Sequence, residues 1–464
     1  MLRIRPLLVL ALFLLACVAP TAVAHAASLG FTTPKALPDS PPTGSMQGGE
    51  PSLAFDPSGD GHVYFVAPGG SDEGPGGINF WASDDHGKTI ARHFSIGSVF
   101  GGGDSDIDVG VDHTVFGADL EVVASAICIS HDFGKTFPGG CQDTGLPADQ
   151  AGPEADREWL TPSRNDRNVI YLTYHDFAAE LPIVERSTDG GSTWAPCGNV
   201  LEPGSAAQQN FSTGGTDVGK PVVGKDESLY VPITEPSSPL VTSNYNNFYV
   251  AVADGGCTGG TQFKDYTIYS NPGANLANIF SDIAMDGAGN LYAAASGKLT
   301  ADQTTYGTYL WVSRDKGKTW SKPIPVNTAN LTANVLPALA GGLRGGQVTL
   351  GWYGTSTSGD PNNSFDTWRY YAATSTNYGK SFSQATVTPT VFHFGDVCTI
   401  GILCGTPGEA DNRNLLDFSS IGVDPSNGCV LTVFPGDPYD TPGQENTTAA
   451  AAYVARQSAG ACLR

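Results

Sequence analysis

Acids and bases recur in this chain where apolar runs begin or end. Glu50 stands in "GGEPS", Asp104 and Asp106 in "GGGDSD", Asp156, Arg157 and Glu158 in "EADREW", Asp217 and Lys220 in "GTDVGK", and Arg413 with Asp417 in "DNRNLLD". Asp282, Glu235, His175 and Asp176 in "YHDF", and Tyr353 in "WYGT" complete the set. Two carboxyls brought together drive their pKa values apart, so that one stays protonated as a general acid while the other serves as base or nucleophile. Glycoside hydrolysis needs such a pair. His175 and Tyr353 suit the base and acid of an eliminative cleavage, and no cofactor is required by either chemistry. Acids this dense could equally hold calcium. "DSDID", Asp104 to Asp108, looks like a calcium loop but alternates as a strand, and Gly110 is misplaced for an EF-hand. Singly, each acid is more commonly a solvated loop residue, so the chemistry depends on what gathers them.

A repeat gathers them. "SDDHGKTI" begins at Ser83, "SHDFGKTF" at Ser130, "STDGGSTW" at Ser187, "SRDKGKTW" at Ser313 and "STNYGKSF" at Ser375, with a worn copy, "VADGGCTG", from Val252. The steps between these starts are 47, 57, 65, 61 and 62 residues. Upstream of each lies strand, Asp/Gly/Pro turn, strand, loop, strand, as in "SLAFDPSGDGHVYFVAP" followed by "GINFWAS". Four strands per repeat is the blade of a β-propeller. A final copy, "FSSIGVDPSNGCVLTVF" with "AAAAYVARQ", predicts seven blades, six being the alternative count, and "SLGFTTPKAL", Ser28 to Leu37, could supply the missing outer strand. Up-and-down strand order puts the repeated turns on one face. The acids and bases above then share the other, around the central channel.

The boxes resemble the Asp-box, or BNR, repeats of the sialidase superfamily of propellers, over nearly the whole chain. The resemblance implies that each box is a structural hairpin whose last residue, here Ile90, Phe137, Trp194, Trp320 or Phe382, packs between blades. It also implies a glycan site on the opposite face. Sialidases bind the substrate carboxylate with three arginines, the first usually in Arg-Ile-Pro, and have six blades. This chain has no arginine between Ser28 and Arg92, which sets it apart from a typical active sialidase. Glu50, Asp106, Asp156, Arg157, His175 and Arg413 are the candidate catalytic residues, in a glycoside hydrolase acting on extracellular glycans. A non-catalytic glycan- or protein-binding propeller and a polysaccharide lyase are the alternatives.

Residues 1–26 carry Arg3 and Arg5, an apolar run from Leu7 to Ala16 and the small-residue sites in "AVAHA", which read as a secretory signal peptide. "LLAC", ending at Cys17, offers lipoprotein anchoring as the lesser alternative. Residues 27–49 would then close the last blade, and 50–464 form one propeller, expected to be monomeric. The leader holds two arginines and no acid, so its removal takes the formal charge from −22 to −24. Nucleic acid is a poor partner for such a surface. No later stretch is apolar enough for a membrane span. Eight cysteines follow Cys17, an even number suited to an oxidising compartment. Cys128 with Cys141 and Cys398 with Cys404 are close enough for local bridges; Cys197 with Cys257 and Cys429 with Cys462 are one pairing of the rest, which spacing does not fix, and CxxC pairs that would signal structural zinc are missing.

Overall fold

A computed structural model describes residues 28–38, 48–69, 77–97, 101–121, 125–144, 155–176, 181–211, 216–236, 245–276, 281–328, 330–357, 359–363, 365–400, 404, 413–439 and 450–464, with Ala155 and Asp156 by backbone alone. Residues 1–26, expected to be a leader, lie outside these residues, and Cys17 with them. The chain forms seven antiparallel sheets of at least four strands, taken in sequence order around a central axis. Their innermost strands are Ser52–Phe55, Ser105–Val109, Ala155–Pro162, Asp217–Val218 with Val222–Val223, Asp282–Met285, Ala333–Gly341 and Ser420–Val423. The middle strands lie between neighbouring blades and are covered on both sides. They therefore read as continuous apolar runs, such as "VYFVA" at Val63–Ala67, every residue of which is buried. The seventh sheet is completed from the other end of the chain, where Gly30–Phe31 and Lys35–Ala36 both pair with Ala451–Ala459. Among the described residues no helix is long and apolar enough to cross a membrane.

The repeated turns all join the third and fourth strands on one face. In the third blade Ser187 Oγ donates to Asp189 at 2.9 Å and accepts from the Gly191 amide at 2.8 Å. Asp189 in turn accepts from the Thr193 amide and hydroxyl at 2.9 and 2.6 Å. Asp85, Asp132, Asp315 and Asn377 fasten their turns in the same way. The central glycine is needed for two reasons. Gly134 and Gly379 have φ of 67° and 74°, and a Cβ there would come within 2.7 Å of Phe80 and 2.9 Å of Leu310 on the preceding blade. The final apolar residues pack against clusters that span two blades, as Trp194 does with Phe116, Ile127 and Leu172, but they are only half-buried. In the fourth blade a disulfide from Cys257 to Cys197 on the third blade's outer strand stands beside the worn turn. The other bridges are Cys128–Cys141 and Cys398–Cys404, the local pairs expected from their closeness in sequence, and Cys429–Cys462, which spacing had left open.

Candidate functional site

At the face opposite the turns, four non-glycine residues in or just before innermost strands lie in the left-handed region. Glu50 has φ 46°, Arg157 59°, Leu336 52° and Leu416 54°. At Arg157 and Leu336 this coincides with a register shift against the next strand, a bulge that re-aims the side chain. Such a conformation costs about 1–2 kcal/mol for an L-residue, so the packing around it must over-determine it.

Arg157 shows what does so. Its guanidinium lies between the rings of Trp159 and Phe418, 4.1 and 4.0 Å from their centroids, and is 0% exposed. Nη2 donates to the Ser105 carbonyl at 3.1 Å, and Nη1 faces Glu50 Oε2 at 3.5 Å and Asp104 Oδ1 at 4.0 Å. Blades one, two, three and seven thus meet on one cation. Glu50 also accepts from the Asp417 amide at 3.0 Å, and Asp417 pairs with Arg413 at 2.5 Å. Burial pushes the Glu50 carboxyl well above the ordinary range, with Asp104 and Asp417 adding to it and Arg157 and Arg413 opposing.

Asp217, from the fourth blade, is raised likewise by burial and then by Asp417 and Asp104. Its Oδ1 lies 3.9 Å from His175 Nδ1. Burial pushes the His175 imidazole down to about 4, so it is neutral at pH 7. Behind these, Glu158 accepts from Ser125 Oγ at 2.8 Å and is raised to about 8 by burial and the charge of Asp104. Asp104 and Asp217 keep 23% and 17% of their side-chain surface, whereas Glu50 and His175 are closed off.

The mouth therefore gathers Glu50, Arg157, His175 and Arg413 from the candidates, together with Asp104, Asp217 and Asp417. Asp156 pairs through its backbone with His175, and its side chain lies outside what is described. Asp106 sits deeper and acts as a strap. It accepts from Ser52 Oγ at 2.7 Å, the Leu160 amide at 2.9 Å and Lys220 Nζ at 2.9 Å, so that blades one, two, three and four share one carboxylate. Pro221 and Gly219 interrupt the fourth blade's inner strand beside Lys220. Asp282 accepts from the Leu339 amide at 2.6 Å and links blades five and six. Tyr353 is not at the mouth: its ring is buried against Tyr370 and Phe434, and its hydroxyl donates to the Pro435 carbonyl. The tyrosine near the mouth is Tyr245, raised by burial and then by Asp217 and Asp417. It opens the fourth blade's third strand in "SNYNNFYV", and third-strand entries share this face.

"DSDID" is strand at Ser105–Val109, and among the described residues no three His, Cys, Asp or Glu are grouped to hold a metal ion. Below the mouth a cavity of about 680 Å³ follows the axis, from Trp159 and Phe418 down to Pro57, Arg164, Gly287 and Pro425. The rings that clamp Arg157 thus bound its upper end.

No family model matches the sequence, and no curated protein aligns with it. Solved structures do superpose. A polysaccharide lyase, an ulvan lyase bound to a GlcA(1-4)Rha3S oligosaccharide, matches with TM-score 0.51 at 10% identity over 94% of each chain. A lectin from Burkholderia pseudomallei matches with TM-score 0.50 at 11% identity, over 84% of this chain and 94% of its own. A microbial sialidase follows with TM-score 0.42 and 13% identity over 88% of this chain and 65% of its own, too loose a likeness for comparing sites. At these identities the likeness shows the propeller alone.

Proposed function

We propose that this protein is an extracellular glycoside hydrolase of sialidase-like, Asp-box propeller type, working at the axial mouth. The observation that carries this reading is a pair of reachable carboxyls in opposite surroundings. Asp217 is pushed well above the ordinary carboxylate range by burial and by neighbouring acids, and Asp104 faces the Arg157 guanidinium. In this reading Asp217 gives its proton to the glycosidic oxygen as the bond breaks, and Asp104 activates water or attacks the sugar carbon. Arg157 and Glu50 are positioning residues, too deep to touch substrate. The protein's formal charge of −22 favours a neutral or cationic glycan over a uronate or sialate. Four disulfides fit the oxidising compartment to which the leader would deliver the chain.

The test is release of reducing ends from a panel of polysaccharides and chromogenic glycosides. Asp217→Asn and Asp104→Asn should each lower turnover at least about a hundredfold with the melting temperature unchanged. Full activity in both variants would sink this assignment. Eliminative cleavage is the second reading, favoured by neutral His175 and by Tyr245 near Asp217, both as closed off as Glu50 and therefore acting through that reachable carboxyl. The superposition on a polysaccharide lyase also supports it. The product separates the two, since a lyase leaves an unsaturated uronate that absorbs in the ultraviolet. Glycan binding without turnover would leave the lectin-like alternative.

A further inference from the structure

Large apolar side chains are rarely exposed on this protein, and the two most exposed among the described residues are both aromatic: Phe365 at 75% and Tyr439 at 60%. Both lie on the face of the mouth. Phe365 ends the loop entering the sixth blade's third strand, Asp366–Ser375, and Tyr439 follows the seventh blade's second strand, Val430–Gly436. These loops join second to third strands, on the side away from the repeated turns.

The two rings are mounted on one buried strut. Asp366 to Trp368 pair with the short strand His393–Gly395. His393 Nδ1 lies 2.8 Å from Asp437 Oδ1, and Nε2 lies 2.9 Å from the Asp396 carbonyl. Both ring nitrogens face acceptors, which suits the imidazolium form. The Asp437 amide donates to the Phe392 carbonyl at 3.0 Å. Asn414 then donates to Asp437 at 3.0 Å, which ties the strut to Arg413 at the mouth. Asp366, His393, Asp396 and Asp437 are all buried, so the loops present exposed rings on a rigid base rather than exposing their whole length.

We propose that Phe365 and Tyr439 form a stacking subsite for a neutral, pyranose-based polysaccharide whose chain runs outward from the mouth across blades six and seven. An aromatic face accepts the apolar C–H face of a pyranose without needing charge, which suits a protein of net charge −22 better than an anionic chain. The direction of the chain rests on the mouth being the active site, whereas the stacking itself does not.

Electrophoresis of the native protein through gels containing xyloglucan, xylan or galactomannan tests this. We expect at least one polysaccharide to retard the wild type, Phe365→Ala and Tyr439→Ala to weaken retardation about tenfold each, and Tyr439→Phe to keep it. Phe365→Ala alone tests the subsite should the Tyr439 variant fold poorly. Asp217→Asn should be retarded like the wild type. Retardation unchanged in both Ala variants overturns the subsite, as does a wild type that none of the three retards. Self-association of the wild type that the Ala variants abolish would instead make the rings a contact between copies, and also overturns it. Retardation without any product release leaves the subsite standing and defeats the hydrolase reading.

Discussion

The two ends of the blades use the same acidic side chains in opposite ways. At the turn face Asp85, Asp132, Asp189 and Asp315 are near the solvent and their oxygens are filled by backbone amides and hydroxyls, which hold their pKa values low. At the mouth Glu50, Glu158 and Asp217 are buried beside other acids and lifted. Charge at the turns is neutralised by donors only a few residues away. Charge at the mouth is managed by residues from other blades, and Arg157 is the hub of that arrangement. A local solution repeats easily, and a non-local one is built once.

The largest expected effect comes from removing that hub. Arg157→Ala leaves Glu50 and Asp104 without their shared cation and empties the slot between Trp159 and Phe418, and should destabilise the fold by about 3–5 kcal/mol, read from denaturant unfolding. A loss under about 1 kcal/mol would mean that the mouth is not held together by this contact. Next come the tryptophans. Trp311 is wholly buried, and Trp311→Ala should cost about 3–5 kcal/mol. The half-buried Trp320 at the end of its turn should cost about half as much. Equal losses would show the turns to be part of the core.

Melting temperature against pH should show the contrast directly. Glu158 is raised from 4.5 to about 8, so folding favours its protonated form, and the stability it supplies at low pH is lost as pH climbs through that interval. Asp132 is lowered from 3.8 to about 2, so its contribution is present above 3.8 and lost as pH falls towards 2. His175, lowered from 6.5 to about 4, adds to the loss on the acid side. Glu158→Gln should flatten the alkaline limb alone, and Asp132→Asn the acid limb alone. The smallest effect is Asp189→Ala, about 1 kcal/mol through the lost turn bonds, with the mouth undisturbed.

The same contrast decides what could be read from the sequence. The turns were legible because Ser187, Asp189, Gly191 and Thr193 satisfy one another within eight residues, and their period counts the blades. Two of the cysteine pairs, Cys128–Cys141 and Cys398–Cys404, were legible as local bridges, whereas spacing alone left the other two open. At the mouth, alternation of strand and loop was enough to bring Glu50, Arg157, His175 and Arg413 to one end. It could not show depth: the bulge at Arg157 turns that side chain into the axis, and Asp106 is spent on fastening four blades. Tyr353 misled because Val348–Thr355 runs to the blade's end, so the tyrosine packs inside it. Tyr245 was not legible because it opens a third strand within "SNYNNFYV", a run with no acid or base to mark it.

The seventh sheet has a consequence for how the molecule is made. Gly30 pairs with Ala459 and Lys35 with Val454, so a segment made early must wait for one made much later. Six blades can assemble from contiguous stretches as they emerge, but Ala451–Ala459 keeps a bare edge until the beginning of the chain returns to cover it. Pairing over such a separation is slow, because the entropy of bringing the ends together precedes any gain from contact. Ring closure is therefore the natural last step of folding, and the interval before it is when the chain is most exposed to pairing with a neighbour.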